Sequence, residues 1–574
     1  MIICGLKLTH DGCIAVIEND RLLFSIELEK LKNNPRYSEI GDNRVIAAIL
    51  KQEGLSVKDI DRFVVDGWGG YDEDALAIQP RLYIGRDNNF LSCTNGDENF
   101  RLSIAQYQES ESRHNVLTPL AFTGLKIEEY DLPYSSYLHV TGHIMSAYCT
   151  SPFAARHEDA YVLIWDGGMY PRLYFVNAET GAIENLGPLF LMIGNIYTIF
   201  SQHFGPFKVS GSFAKDDLSV AGKVMAYIAL GEVKEELFRY FDEIYQKYYD
   251  KPMGFANVFA NKFKQAINGK GYRDEDILCS FHFYLEKLLR EKLEKKIRRF
   301  DRHSTNLCIA GGCALNIKWN SAVRNMPVFN QVYVPPFPND SGSAIGMACA
   351  EMARLAWKWS LRWDVYSGPS VVGNKVPADW EKTDCSPELL AKLLYETREP
   401  VVFLNGKAEL GPRALGNRSI LGDPSHPHMK DILNRIKDRE PYRPVSPICL
   451  EEKAQDIFKP GTRDPFMLFD HIVKKEWRSK IPAICHLDGS ARLQTVNMNE
   501  NPVITTLLIS YEKLSGIPLL CNTSANYKGS GFFPDALSAA EWGCVNYIWS
   551  DHMLYTRKNK IHFNQLTASG AATA

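Results

Sequence analysis

The chain has 574 residues, 45% of them hydrophobic, and a formal net charge of -3 at pH 7. That length exceeds one ordinary core and predicts two to four domains of about 100–250 residues. The near-neutral balance, without a basic run, argues against nucleic acid and anionic membranes as partners. The 13 cysteines are scattered without a CxxC pair, which excludes a disulfide scaffold and a structural zinc site. Thiols in apolar settings, such as Cys308, Cys349 and Cys449, are expected to be buried.

The opening MIICGLKLTHDG reads as strand and turn. It lacks the regions of a signal peptide, and no run reaches the ~18 apolar residues of a spanning helix, so a cytoplasmic location is expected. Strands are predicted at 1–8, 13–19 and 21–28, joined by turn residues, so the chain starts as a meander. Helical spacing covers 43–53 and a strand covers 62–66. A second meander follows at 161–166 and 172–177, then a long charged helix at 274–300. A strand at 307–310 leads into Gly311-Gly312 and a helix from about 317; a strand at 331–334 and a small-residue helix at 341–357 close this part. Two meanders, each followed by helices, predict two related α/β halves. The stretch 358–385, rich in Trp, Gly, Pro and Ser, is the expected linker between domains at 1–357 and 386–564. In the second domain a helix, a strand at 400–404, a basic loop and a helix at 428–437 follow in turn. The tail 565–574 is small and polar and is expected to be loosely ordered.

One constellation is metal-like. His139 and His143 stand four apart, so on a helix both imidazoles share a face. Asp166 ends an apolar strand before Gly167-Gly168, and Asp340 opens a helix after a proline-rich turn. Histidines with carboxylates suit iron(II) or another divalent transition metal, the identity staying open. Gly311 and Gly312 lie between a strand and a helix, where backbone amides can approach phosphate. His10-Asp11-Gly12 has the layout of a phosphate-binding hairpin or of an ordinary turn.

The other constellation is anion-like. NGKAELGPRALGNRS at 405–419 sets Arg413 and Arg418 among Gly and Pro. Arg443 and Ser446 follow in a Pro-rich turn, Arg492 lies in HLDGSARLQ, and Asn522, Thr523 and Ser524 stand at a strand end. Guanidinium forks match phosphate oxygens, and stiff loops hold them in place.

In order, GPRALGNRSIL, LNRIKDREPYRPVSP, HLDGSARLQTV and IPLLCNTSAN resemble the O-carbamoyltransferase family that includes the NodU and CmcH proteins, over roughly residues 1–564. The opening GLKLTHDG is more similar to the branch that carbamoylates antibiotics, such as tobramycin and geldanamycin, than to the nodulation-factor enzymes. The resemblance implies a TsaD-like N-terminal domain of the sugar kinase and actin superfamily and a YrdC-like C-terminal domain. It implies a metal, iron(II) in the first place, on His139, His143, Asp166 and Asp340, with magnesium accompanying ATP. ATP and carbamoyl phosphate would give carbamoyl-adenylate at Arg413, Arg418, Arg443 and Arg492, with Arg418 and Arg443 catalytic and Ser446, Asn522 and Ser524 positioning. Gly167, Gly168, Gly311, Gly312 and Asn316 would hold the nucleotide for transfer to a hydroxylated small molecule. His10 or Asp11 is the expected base, and His114, with the 68–135 segment, the expected acceptor surface.

Two departures bear on this reading. The family's NTSFN and GEP stand here as Asn522-Thr-Ser-Ala525-Asn526 and Gly529-Ser-Gly531. The acylphosphatase domain and zinc fingers of the hydrogenase-maturation relative have no counterpart. Threonylcarbamoyl transfer to tRNA is the rival enzyme reading, disfavoured by the charge. An actin-superfamily ATP-dependent regulator is the non-enzymatic one, and it would need neither dihistidine nor arginine loops. The sequence leaves the oligomeric state undetermined.

Overall fold

The opening strand Ile2–Lys7 is the centre of the first sheet because its run IICGLK is apolar on both faces and buried along nearly its whole length. The computed structural model that shows this describes residues 1–68, 89–105, 115–249, 255–373, 375–561 and 563. His114, most of the 68–88 stretch and the tail lie outside the described residues. By contacts the chain parts into two units, Met1–Glu27 with Tyr37–Asp364, and Leu28–Arg36 with Val365–Ala574.

In the N-terminal unit, Ile2–Lys7 pairs antiparallel with Cys13–Glu18, which pairs antiparallel with Arg21–Glu27. On its other edge it pairs parallel with Arg62–Asp66, followed by Tyr130–Tyr137 and Leu120–Ile127. A second sheet repeats the scheme. Ala160–Ile164 pairs antiparallel with Arg172–Val176 and parallel with Asn306–Ala310, Ile183–Pro188 and Gln331–Tyr333 lying at the edges. The expected two related halves are thus present. Helix Asp274–Arg299 carries Asp274, Glu275 and Asp276 in its first turn and Lys296, Arg298 and Arg299 in its last, complementing its dipole.

Helix His139–Cys149 is buried on every side and crosses helix Ser343–Ala356. The crossing requires glycine: a Cβ on Gly346 would lie 1.8 Å from the Gly142 carbonyl oxygen. Gly142, next to His143, lies at that crossing, where a Cβ would come within 3.4 Å of Ser343 Cα, and the close crossing draws the dihistidine face towards Asp340 at the head of the second helix.

The C-terminal unit is built on an eight-stranded mixed sheet. Its order is Trp380–Asp384, Met553–Arg557, Tyr547–Ser550, Val401–Leu404, Arg418–Gly422, Leu519–Ser524, Ser446–Leu450 and Gln494–Val496. Helices Pro387–Thr397 and Pro502–Ser515 pack together, and Phe403 stacks on Trp549 at 4.4 Å within the core. Two expectations change here. Residues 358–385 are no linker, since Trp380–Asp384 is an edge strand whose Trp380 sits in the core. The division falls at Asp364, and Leu28–Arg36 folds with the second unit. Cys308, Cys349 and Cys449 are buried as expected. Among the described residues no helix is long and apolar enough to cross a membrane.

Candidate functional site

The N-terminal unit gathers the four expected metal residues. His139, His143, Asp166 and Asp340 are all buried, and each offers one atom within 4.8 Å of the others. Asp340 Oδ1 lies 3.4 Å from Nε2 of both His139 and His143. Asp66, at the end of its strand, hydrogen-bonds His139 Nδ1 at 2.9 Å, which leaves Nε2 directed at the cluster. Lys7 bridges Asp66 and Asp340 at 3.3 and 3.0 Å, and its ammonium lies 4.7 Å from the centre of the Trp68 ring. Burial opposes the charge on His139, but the Asp66 and Asp340 carboxylates outweigh it and lift its pKa to about 10. Burial also opposes the charge on Asp340, yet Lys7 and His139 hold it well below the usual carboxylate range.

These residues fit a divalent cation. Both ring nitrogens of His143 are buried without a hydrogen-bond partner, a state that costs roughly 1–3 kcal/mol per group. Asp66, Asp166 and Asp340 together outnumber Lys7, and one doubly charged ion with neutral imidazoles would balance them. Asp66 was not expected from the sequence. Its signal is the strand ending RFVVD, which parallels YVLIWD before Asp166.

The turns around this cluster divide in role. His10 Nδ1 is 3.0 Å from Asp11 Oδ2, its ring meets Trp68 edge-on, and its Nε2 is 3.6 Å from Asp340 Oδ2. Asp11 also accepts from Asn339 Nδ2, so it orients His10, which is a third exposed at the rim. The Gly312 amide donates to Asp166 Oδ1 at 2.5 Å and the Gly311 amide to the Pro338 carbonyl. Gly167 accepts from the Asn195 amide through its carbonyl, and Gly168 follows it in the same turn. Asn316 differs from expectation: its side-chain oxygen caps the helix Ile317–Arg324 through the Lys318 and Trp319 amides. That oxygen is committed to the backbone rather than to a nucleotide.

In the C-terminal unit Arg413, Arg439, Arg443 and Arg492 converge. Arg492 Nε donates to Ser446 Oγ at 3.0 Å; Arg439 donates to Thr523 Oγ1 at 2.8 Å and Ser524 Oγ at 3.3 Å. Ser446 and Asn522 face each other across the antiparallel strands, so these hydroxyls share one sheet end. Arg443 has Glu440 at 3.6 Å. Burial, with Arg443, Arg36 and Arg413 beside it, pushes Arg439 down to about 9. Burial, with Arg413, Arg439 and Arg443 beside it, presses Arg492 well below the usual range. Guanidiniums do not give up their proton in proteins, so the shifts mark charge held out of water first and repulsion second, both of which a bound anion would relieve. Lys437, buried beneath, donates to Asn526 Oδ1 at 2.6 Å.

Two expected contacts move from ligand to scaffold. Arg418 is buried at 1% exposure, and its Nη1 and Nη2 donate to the carbonyls of Asn405, Asn417, Pro369 and Gly406. Its fork is spent on backbone and cannot also face a phosphate. The Asn522 amide donates to the Ala414 carbonyl and to Gln494 Oε1, holding the arginine loop. Arg439 and Lys437 belong to the basic stretch the sequence marked but carry no individual role there, and Glu409, whose carboxylate accepts from the Leu415, Asn417 and Arg418 amides, has no signal in it.

The carbamoyltransferase N-terminus family model matches residues 2–349, and the carbamoyltransferase C-terminus model residues 391–556. A nodulation protein U of Sinorhizobium fredii is 46% identical over 573 residues, 97% of this chain and 99% of that protein. A 3'-hydroxymethylcephem-O-carbamoyltransferase of Streptomyces clavuligerus is 30% identical over 550 residues, 94% of this chain and 96% of that protein. Among solved structures, the activator of the 2-hydroxyisocaproyl-CoA dehydratase from Clostridium difficile with bound ADPNP aligns with a TM-score of 0.33 at 14% identity, over 63% of this chain and 99% of that one. The nodulation relative stands nearer in identity than the cephem enzyme, the reverse of the order expected from GLKLTHDG.

Proposed function

The chain belongs to the carbamoyltransferase family and is an enzyme of that class; on that premise we propose that it is an ATP-dependent O-carbamoyltransferase working in two steps on a hydroxylated small molecule. In the C-terminal unit, carbamoyl phosphate yields its phosphoryl group to water. The carbamate oxygen then attacks the α-phosphorus of ATP, a P–O bond forms, and pyrophosphate leaves. Arg413, Arg439, Arg443 and Arg492 offset the phosphate charge, with Ser446, Thr523 and Ser524 fixing the guanidiniums. The observation that carries this reading is the convergence of like charges, which has a physical reason only with a polyanion bound.

In the N-terminal unit the acceptor oxygen attacks the carbamoyl carbon, its proton passes to His10 Nε2, and AMP leaves. Asp11 holds the His10 tautomer in which Nε2 can accept. A divalent ion on His139, His143, Asp166 and Asp340 would supply Lewis acidity towards the carbamoyl or phosphate oxygen. Gly311 and Gly312 would let the backbone pass close to the nucleotide, their own amides being held by the Pro338 carbonyl and Asp166. The acceptor is a hydroxylated small molecule, as the hydroxymethylcephem in the name of one relative is.

Carbon-labelled carbamoyl phosphate, offered with ATP and a panel of alcohols, tests this by mass spectrometry. The label is expected on an alcohol oxygen only when ATP is present. Equal labelling without ATP would contradict the adenylate route.

A further inference from the structure

The segment Leu28–Arg36 lies early in the sequence yet folds with the C-terminal unit. Its attachment is built from several independent contacts. Lys30 is buried, and its ammonium donates to the carbonyls of Glu409 at 2.6 Å and Gly411 at 2.8 Å. Those carbonyls begin the loop whose far end, Leu415 to Arg418, is held by the Glu409 carboxylate. The 409–418 loop that carries Arg413 is therefore clamped by a cation at its start and a carboxylate at its end.

Farther along, the segment runs beside Gly529-Ser530-Gly531. The Arg36 amide donates to the Gly529 carbonyl at 2.8 Å, the Gly531 amide donates to the Asn34 carbonyl at 3.0 Å, and Pro35 bridges Ser530. A Cβ on Gly531 would lie 1.9 Å from the Glu29 carbonyl oxygen, so glycine is required there. The Gly-Ser-Gly departure from the family's pattern thus receives this segment. Arg36 ends it with Nη2 3.5 Å from the Pro412 carbonyl, beside Arg413, and with Nε buried without a hydrogen-bond partner. Its charge bears on Arg439, Arg443 and Lys437.

We propose that Leu28–Arg36 is a working part of the arginine site: Arg36 is a further anion-binding guanidinium, taking a phosphate oxygen of carbamoyl phosphate or ATP, and Lys30 positions the loop that presents Arg413. This rests on the phosphate reading of the cluster given above.

The test is carbamoyl-phosphate-dependent pyrophosphate release by the full chain carrying Arg36→Ala, Arg36→Lys or Arg439→Ala. Arg36→Ala is expected to raise KM for one of the two phosphate substrates by ten- to a hundredfold, the order set by one charge-assisted hydrogen bond. Which KM moves identifies the source of the phosphate. Its Tm should stay level or rise, because a repelling charge is removed, and Arg36→Lys should restore part of the lost affinity. Unchanged KM for both substrates in Arg36→Ala, with Arg439→Ala inactive, overturns the inference alone. A fall in Tm together with loss that Arg36→Lys does not restore also overturns it, in favour of a purely structural role. Full activity in Arg439→Ala overturns the phosphate reading beneath it.

Discussion

In the N-terminal unit three buried carboxylates, Asp66, Asp166 and Asp340, stand around two histidines with Lys7 as the nearby lysine. In the C-terminal unit Arg413, Arg439, Arg443 and Arg492 converge, with Glu440 the acid beside Arg443. One pocket has surplus negative charge and the other surplus positive charge, and each is under-compensated by its own fold. Folding alone would select against both, since like charges brought out of water repel. Under the proposed function, the first would take a cation and the second a polyanion.

The contrast breaks most readily at Arg439. Arg439→Ala should lower carbamoyl-phosphate-dependent pyrophosphate release by roughly 10²–10³-fold while leaving bound metal, measured by elemental analysis, unchanged. Loss of metal in that variant would mean the pockets are not separable. Arg418, by contrast, serves the scaffold. Arg418→Met should cost about 3 kcal/mol in chemical denaturation by orphaning the carbonyls it now satisfies, with KM for carbamoyl phosphate unmoved in the folded fraction. A changed KM at full stability would return Arg418 to the ligand.

A smaller effect belongs to Asp66. Asp66→Asn should weaken metal binding by about 10–100-fold, because the carboxylate no longer fixes the His139 ring; competition against a chelator reads this directly. Smallest is an acid effect confined to the N-terminal unit. Burial, with Lys318 nearby, lowers His282 to about 3. Its folded pKa lies below the unfolded one, so the unfolded chain takes up the proton first. Stability is therefore full above about pH 6.5 and falls as pH drops toward 3, by about 1.4 kcal/mol at pH 5.5. His282→Phe should flatten that part of the stability–pH curve.

How far the sequence reached follows from what each residue type reveals locally. The meanders and the paired halves were legible because alternation and turn residues lie next to each other in the chain. The dihistidine was legible from its spacing. The strands Leu120–Ile127 and Tyr130–Tyr137 were not, because Gly124 with φ 97 lies where their register shifts and Pro133 interrupts the second. Arg418 was misread because a guanidinium that binds carbonyls and one that binds phosphate look alike in sequence. Arg36 was missed because no local pattern records that a segment leaves one unit for another. Asp66 ends an ordinary apolar strand, and only its approach to His139 marks it.

The most direct test measures pyrophosphate release and carbamoyl transfer side by side in His143→Ala. Release dependent on carbamoyl phosphate is expected to persist, while transfer to the alcohol and bound metal are both lost. Pyrophosphate release falling in step with transfer, in a variant that is folded, would contradict the division of labour between the two pockets.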